Sequence, residues 1–221
     1  MLTQKAIHQT DNRQYDYSSW ENENRAEYDY IVNYVEMNKK VLDLGCGNGS
    51  LMQRLISEKK SDVTGIEISQ SAVDVCRKKG LNVIKGRIDE KLPFEDNSFD
   101  YSVCNVTLQM VMFPEKTISE MKRVSRFLII SFPNFAFYKN RLELLFRGVM
   151  PHSSLFGYKW YNTGHIHLFS IKDFYELLDS IGNLEVIDHT FTKTGSNFKN
   201  SLMKIAPNFF QLIPIMLVKK K

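Results

Sequence analysis

With 221 residues, 43% of them hydrophobic and 24% charged, the chain has the length and balance of one globular domain, not of a disordered or fibrous protein. Its formal net charge of +4 comes from acidic and basic residues interleaved almost throughout, with no basic run longer than the three residues of Arg77-Lys78-Lys79 and of the terminal Lys219-Lys220-Lys221, which argues against a nucleic-acid binder and predicts a frayed, solvated tail. Three cysteines without metal-site or CxxC spacing (Cys46, Cys76, Cys104), a polar N-terminal stretch and no apolar run long enough to span a bilayer predict a cytoplasmic protein with no secretion signal, no membrane span and no bound metal.

The predicted elements then alternate along the chain. "YDYSSWENENRAEYDYIVNYV" is amphipathic and aromatic, and predicts a helix over about residues 19–36. The segment before it, around Tyr17, is either a lid over a ligand or simple packing on the sheet flank. "KVLDL" (40–44) is a short apolar strand ending at glycine, and "SLMQRLISEKK" (50–60) is a helix with Leu51, Leu55 and Ile56 on one face. "DVTGIEI" (62–68) is a second strand. "SQSAVDVCRKKG" (69–80) is a helix with a Ser cap and a Gly stop, and "LNVIKG" (81–86) is a third strand. A looser loop leads to "SFDYSVCNV" (98–106), a Pro-initiated helix "PEKTISEMKRV" (114–124) and a buried strand "FLIISF" (127–132). Beyond Pro133, "FYKNRLELLFRG" reads as a helix ending at Gly148, and 171–182 as a helix with Phe174, Leu177, Leu178 and Ile181 inward. "LEVIDHTF" is then a sixth strand and 209–218 a seventh. This alternation predicts a Rossmann-like α/β fold, a mostly parallel seven-stranded sheet flanked by helices, with its ligand beyond the carboxyl ends of the strands.

"VLDLGCGNGS" (41–50) is placed at such a carboxyl end. Its frame is Asp43-x-Gly45-x-Gly47-x-Gly49, and Ser50 stands where a dinucleotide fingerprint would have its third glycine. Glycines let a backbone pass close under a ligand. A carboxylate just before them suits an ammonium group, whereas a diphosphate wants donors and a helix N-terminus. Glu67, at the end of the second strand, can accept both hydroxyls of a ribose, and Ile68 beside it can pack an adenine face. Together these features describe a site for S-adenosylmethionine (SAM).

"VLDLGCGNG", "GIEIS" and "LPFEDNSFDYSVCNVTLQMV" resemble the motifs of the class I SAM-dependent methyltransferase superfamily. The resemblance implies that SAM and its product S-adenosylhomocysteine meet Asp43, Gly45, Cys46, Gly47, Asn48 and Gly49 at the turn, and Glu67 and Ile68 after the second strand. It further implies Ile88 and Asp89 near the adenine, and Asn105 and Gln109 near the sulfonium. The Asp often found right after the third-strand glycine is absent. Arg87 stands there, reading as a solvated surface residue, and either Asp89 takes over through a shifted loop or the adenine is held by backbone alone.

"RVSRFLIISFPNF", "YKWYNTGHIHLFSIKDF", "NVIKGRIDE" and "VTLQMV" narrow the likeness: residues 25–189 resemble the MetW (methionine biosynthesis protein W) family. That resemblance implies a link to methionine formation, as a partner that activates a homoserine O-acyltransferase, with a catalytic small-molecule methyltransferase as the alternative. If methyl transfer occurs, His165 and His167 are the candidates to take a proton, since i and i+2 of an extended segment share a face. A pair of hydrogen-bonded structural histidines is the plainer reading. Tyr158, Trp160 and Tyr161 beside them suit an acceptor pocket, a lid or a protein interface. The expected organisation is one domain over 1–221. Its parts are an N-terminal helical flank (1–38), a cofactor core (39–135) and an acceptor or partner region with the last strands (136–221).

Overall fold

The computed structural model describes Tyr17, residues 23–193 and residues 196–221. Seven strands form one sheet in the order β3-β2-β1-β4-β5-β7-β6. They are β1 (Lys40–Leu44), β2 (Asp62–Glu67), β3 (Asn82–Lys85), β4 (Phe99–Asn105), β5 (Ser125–Ser131), β6 (Leu184–Phe191) and β7 (Pro214–Lys220). The first five are parallel, with Asp43 opposite Gly65 on β2 and Val103 on β4. Strand β7 inserts antiparallel between β5 and β6. The order reverses between β1 and β4, so the crossovers leaving these two neighbours go opposite ways and open a crevice at their carboxyl ends.

Alternation along the strands sends side chains to two cores. Val41, Val63, Val103 and Ile129 meet α1 (Ala26–Tyr34), α2 (Ser50–Lys59) and α3 (Gln70–Lys78) through Ile31, Leu51, Met52, Leu55 and Val73. Leu42, Leu44, Leu128 and Ile130 meet α4 (Pro114–Val124) and α6 (Ile171–Ile181) through Ile118, Met121, Phe174 and Leu178 on the other face. At about 1.5–3 kcal/mol for each fully buried large apolar side chain, both faces are needed to hold so many strands. Helix α3 starts at Ser69, whose hydroxyl accepts from the Ala72 amide, and α6 starts with a Ser170–Asp173 capping box.

The structure departs from the sequence reading in five places. The first helix begins at Ala26, because Arg25 before it is extended; residues 19–22 lie outside the described residues. On α2, Ile56 is 41% exposed and Met52 takes the core position. The apolar run 209–218 is not one strand. It ends α8 (Pro207–Phe210), passes through a turn, and resumes as β7 at Pro214, where the missing N–H is harmless at a strand start. Lys219 and Lys220 belong to β7 and pair with Phe127 and Leu184, so they are not a frayed tail. The "FYKNRLELLFRG" helix is α5 (Tyr138–Leu142), widening into a π-turn (Glu143–Arg147) that stops at Gly148 with φ +60°. Helix α7 (Asn197–Ile205) precedes α8.

Candidate functional site

The turn after β1 is held by its own backbone. The Gly45 and Cys46 amides both donate to the Ile66 carbonyl, at 2.8 and 3.2 Å, and the Gly49 amide to the Cys46 carbonyl at 3.0 Å. Gly45, Gly47 and Gly49 have φ of +76°, +54° and +76°, a region other residues rarely take. Their surroundings differ. A Cβ on Gly45 would stand 2.6 Å from Thr107 Cγ2, and one on Gly49 would stand 2.3 Å from Leu81 Cδ1. The two outer glycines are therefore hemmed in by the protein's own side chains. A Cβ on Gly47 would make only an ordinary contact, 3.5 Å from the Tyr17 ring, so this glycine faces the most open space. The Tyr17 amide donates to Ser71 Oγ at 3.2 Å, which sets its ring over the turn.

Two buried carboxylates flank the turn. Glu67 Oε2 accepts from the Gly47 amide at 2.9 Å and Oε1 from the Ser69 amide at 2.8 Å. Asp43 is 2% exposed, and its Oδ2 has no hydrogen-bond partner among the described residues. Burial, with the Glu67 charge nearby, pushes Asp43 from an ordinary 3.8 up to about 7. Asn48 Oδ1 accepts from the Ser50 amide and hydroxyl, and its carbonyl accepts from Lys79 Nζ at 2.9 Å. Cys76 donates to the Gly47 carbonyl at 3.2 Å. A thiol hydrogen bond between Cys46 and Cys76, then burial, pushes Cys46 up, while the same bond and Lys79 draw Cys76 down. Cys104, fully buried, is pushed up to about 12 and is inert.

Across the crevice, the exit of β4 is strained. Val106 is a β-branched residue at φ +48°, and its amide donates to Ser131, both carbonyl and hydroxyl, at 3.0 Å. The Asn105 side-chain oxygen accepts from the Ser131 hydroxyl at 2.5 Å. Gln109, fully buried, donates through Nε2 to the Val106 carbonyl at 2.8 Å, and its Oε1 has no partner among the described residues. Its backbone carbonyl accepts from the Ile166 and His167 amides at 3.0 and 3.1 Å, clipping the irregular 157–170 segment over the crevice.

The two histidines separate. His165 Nε2 lies 3.5 Å from Gln109 Nε2, and its ring meets Phe135 and Phe156 edge-on. His167 Nε2 turns to the Met112 carbonyl at 3.4 Å. A half-open cavity of about 230 Å³ is lined by Phe135, Met150, Leu155, Trp160, Thr163, His165 and Leu168. His167, Tyr158 and Tyr161 do not line it.

After the third strand one expectation is corrected. Arg87 is not a solvated surface residue. It pairs with Asp89 through Nε and Nη2, at 3.0 and 2.7 Å, and Asp89 Oδ2 also accepts from the Met112 amide. Ile88 buries its side chain in the core with Ile66 and Leu92. The sequence reading overlooked Thr107, Ser131, Phe135 and Thr163. The signal for the first three was position alone, since they follow or end β4 and β5. Among the described residues, no cluster of three His, Cys, Asp or Glu side chains could hold a metal, and no helix is long and apolar enough to cross a membrane.

A sheet of this order, with a glycine turn at the β1 exit and a carboxylate at the β2 exit, is the class I SAM-dependent methyltransferase fold. A solved SAM-dependent methyltransferase from Archaeoglobus fulgidus matches it with a TM-score of 0.58 over 89% of this chain and 92% of that one, at 18% identity. The chain belongs to the MetW family, described as "Methionine biosynthesis protein MetW", whose profile matches residues 25–218. A bifunctional methionine biosynthesis protein MetXA/MetW from Rhodopirellula baltica is 34% identical over 167 residues, covering 71% of this chain and 26% of that protein. The chain thus spans about a quarter of that relative's length. A demethylmenaquinone methyltransferase from Staphylococcus aureus is 28% identical over 177 residues, covering 72% of this chain and 73% of the relative.

Proposed function

We propose that the chain binds SAM and S-adenosylhomocysteine and serves methionine biosynthesis as a regulatory partner that activates a homoserine O-acyltransferase. The observation that carries the cofactor half is the unpaired, buried Asp43 Oδ2 at the glycine turn. A buried acceptor without a donor is costly, and the ammonium of the methionine moiety would satisfy it. Gly45, Cys46, Gly47, Asn48 and Gly49 would offer backbone to that moiety. Glu67, already oriented by two amides, would take the ribose, with Ile68 against the adenine face and Asp89 near its amino group. Asn105 and Gln109 would sit by the sulfonium, where Gln109 Oε1 accepts no hydrogen bond from the described residues. Tyr17 over Gly47 fits a lid on the bound molecule. Within one domain over 1–221, residues 1–38 would flank, 39–135 hold the cofactor and 136–221 meet an acceptor or partner.

The regulatory half is supported by the MetXA/MetW relative, in which both names belong to one chain. It is further supported by Leu144, Leu145 and Phe146, which project from the π-turn into solvent. A catalytic methyltransferase is the second reading, favoured by the cavity at His165 next to the β4 exit. SAM supplies a methyl group already activated on a sulfonium, so this chain would only have to orient an acceptor, exclude water and accept a proton, at His165 or, less directly, His167. Calorimetric titration with S-adenosylhomocysteine should show one site per chain. Co-elution with the organism's homoserine O-acyltransferase and a raised acylation rate should accompany it. Absence of a complex, together with transfer of a labelled methyl group from SAM to a metabolite, would establish the catalytic reading instead.

A further inference from the structure

We infer that the cavity beyond β4 and β5 is a binding site for a small neutral molecule carrying one aromatic ring and a single hydrogen-bonding group. The inference does not require SAM to be bound. The cavity's size is the first support. About 230 Å³ exceeds the roughly 150 Å³ apolar void known to hold benzene, so one ring with a short substituent fits.

Chemistry is the second support. Phe135, Met150, Leu155, Trp160 and Leu168 are apolar or aromatic, and no charged side chain lines the wall. An ionised ligand would lose its hydration with nothing to replace it, so a neutral one is selected. The polar groups are Thr163 and His165, at one place on the wall. The His165 ring meets Phe135 and Phe156 at steep, edge-type angles, which fix its orientation in the wall.

Position is the third. His165 abuts Gln109, a fully buried amide whose Oε1 lacks a partner among the described residues. Gln109 Nε2 in turn holds the Val106 carbonyl, which places the cavity beside the β4 exit. Entry is available on the outer side. Trp160 is 70% exposed and belongs to the irregular 157–170 segment, which the Gln109 carbonyl clips down by two amide bonds. Trp160 can swing without disturbing a helix or strand.

The probe is 4-fluorobenzyl alcohol, followed by fluorine NMR on the full chain. The expected result is saturable, protein-dependent broadening. It should be lost in Leu155→Trp, which fills the cavity, and in Leu168→Trp, which fills it from a half-exposed position and spares the fold if the first variant does not. His165→Phe should weaken the alcohol about three- to tenfold, the worth of one hydrogen bond, while leaving 4-fluorotoluene unchanged. Titration of the same samples with S-adenosylhomocysteine keeps the cofactor reading separate, since the filled variants should bind it as the parent does. No saturable broadening with the parent, or equal broadening in the filled variants, overturns the inference.

Discussion

The Gly47 amide donates to Glu67 Oε2 across 2.9 Å, so the middle of the glycine turn is braced by the carboxylate proposed to hold the ribose. Glu67 also accepts from the Ser69 amide, and through Ser69 it reaches the cap of α3. One side chain thus fixes the turn after β1 and the start of α3, and in the proposed reading it would also set the ribose position. Glu67→Ala is expected to do two kinds of damage. Losing the ribose acceptor should weaken S-adenosylhomocysteine by about 1–3 kcal/mol. Stranding two amides should also lower the melting temperature of the unliganded chain, whereas Glu67→Gln keeps an acceptor oxygen and should melt higher than the alanine variant. Calorimetry and thermal melts read the two effects. An alanine variant with parental affinity would remove Glu67 from the ligand site.

The pH dependence of the fold should carry the mark of Asp43. Its folded pKa, about 7, is raised above the ordinary 3.8. Between those values the native state keeps a proton that the unfolded state has lost, so Asp43's contribution is fully present below pH 4 and is lost as pH rises through about 7. Asp43→Asn should therefore be more stable than the parent at pH 8, with the gap closing toward pH 5. An ammonium ligand favours the charged carboxylate, so binding below pH 7 should release a proton, seen as a dependence of the calorimetric heat on buffer ionisation. Equal heats in phosphate and imidazole buffers at pH 6 would argue against an ammonium at Asp43.

The three glycines of the turn should respond differently to alanine. At Gly49 the new methyl would sit 2.3 Å from Leu81 Cδ1 and 2.9 Å from Cys76 Sγ, on top of the left-handed backbone cost of roughly 1–2 kcal/mol. Gly49→Ala and Gly45→Ala should lower stability more than Gly47→Ala, which pays only the backbone cost. Gly47→Ala should show its effect in ligand affinity. Denaturant melts and titrations on the three variants separate these outcomes, and a Gly47 variant as unstable as the Gly49 variant would refute the division.

The order of strands and helices was legible because apolar runs of five or six residues, such as "KVLDL" and "FLIISF", lie between capped or Pro-initiated helices. The glycine turn and its two carboxylates were legible for the same local reason. What the sequence hid depends on contacts between distant residues. Nothing near Arg87 in the chain reveals that it folds back on Asp89, or that Ile88 turns into the core between them. The period-2 rule put His165 and His167 on one face, yet the clip at Gln109 turns their rings to different partners. Met52 displaced Ile56 from the core of α2 because the helix meets the sheet along a narrower stripe than periodicity alone assigns.

The regulatory reading makes its sharpest prediction at the π-turn. Leu145 and Phe146 are 74% and 76% exposed, so replacing them removes no core contact and should leave the melting temperature unchanged. If this surface docks on a homoserine O-acyltransferase, these apolar side chains are its natural anchors, since a few such residues carry most of an interface's energy. Leu145→Glu combined with Phe146→Ser should weaken co-elution by at least about 30-fold, corresponding to 2 kcal/mol or more, and should remove the rise in acylation rate. Binding of S-adenosylhomocysteine should not change, because the π-turn contributes no residue to the glycine turn or the Glu67 site. A double variant that still activates the acyltransferase in full would move the interface elsewhere on the chain. A double variant that loses cofactor binding as well would show that the π-turn and the cofactor site are one coupled unit.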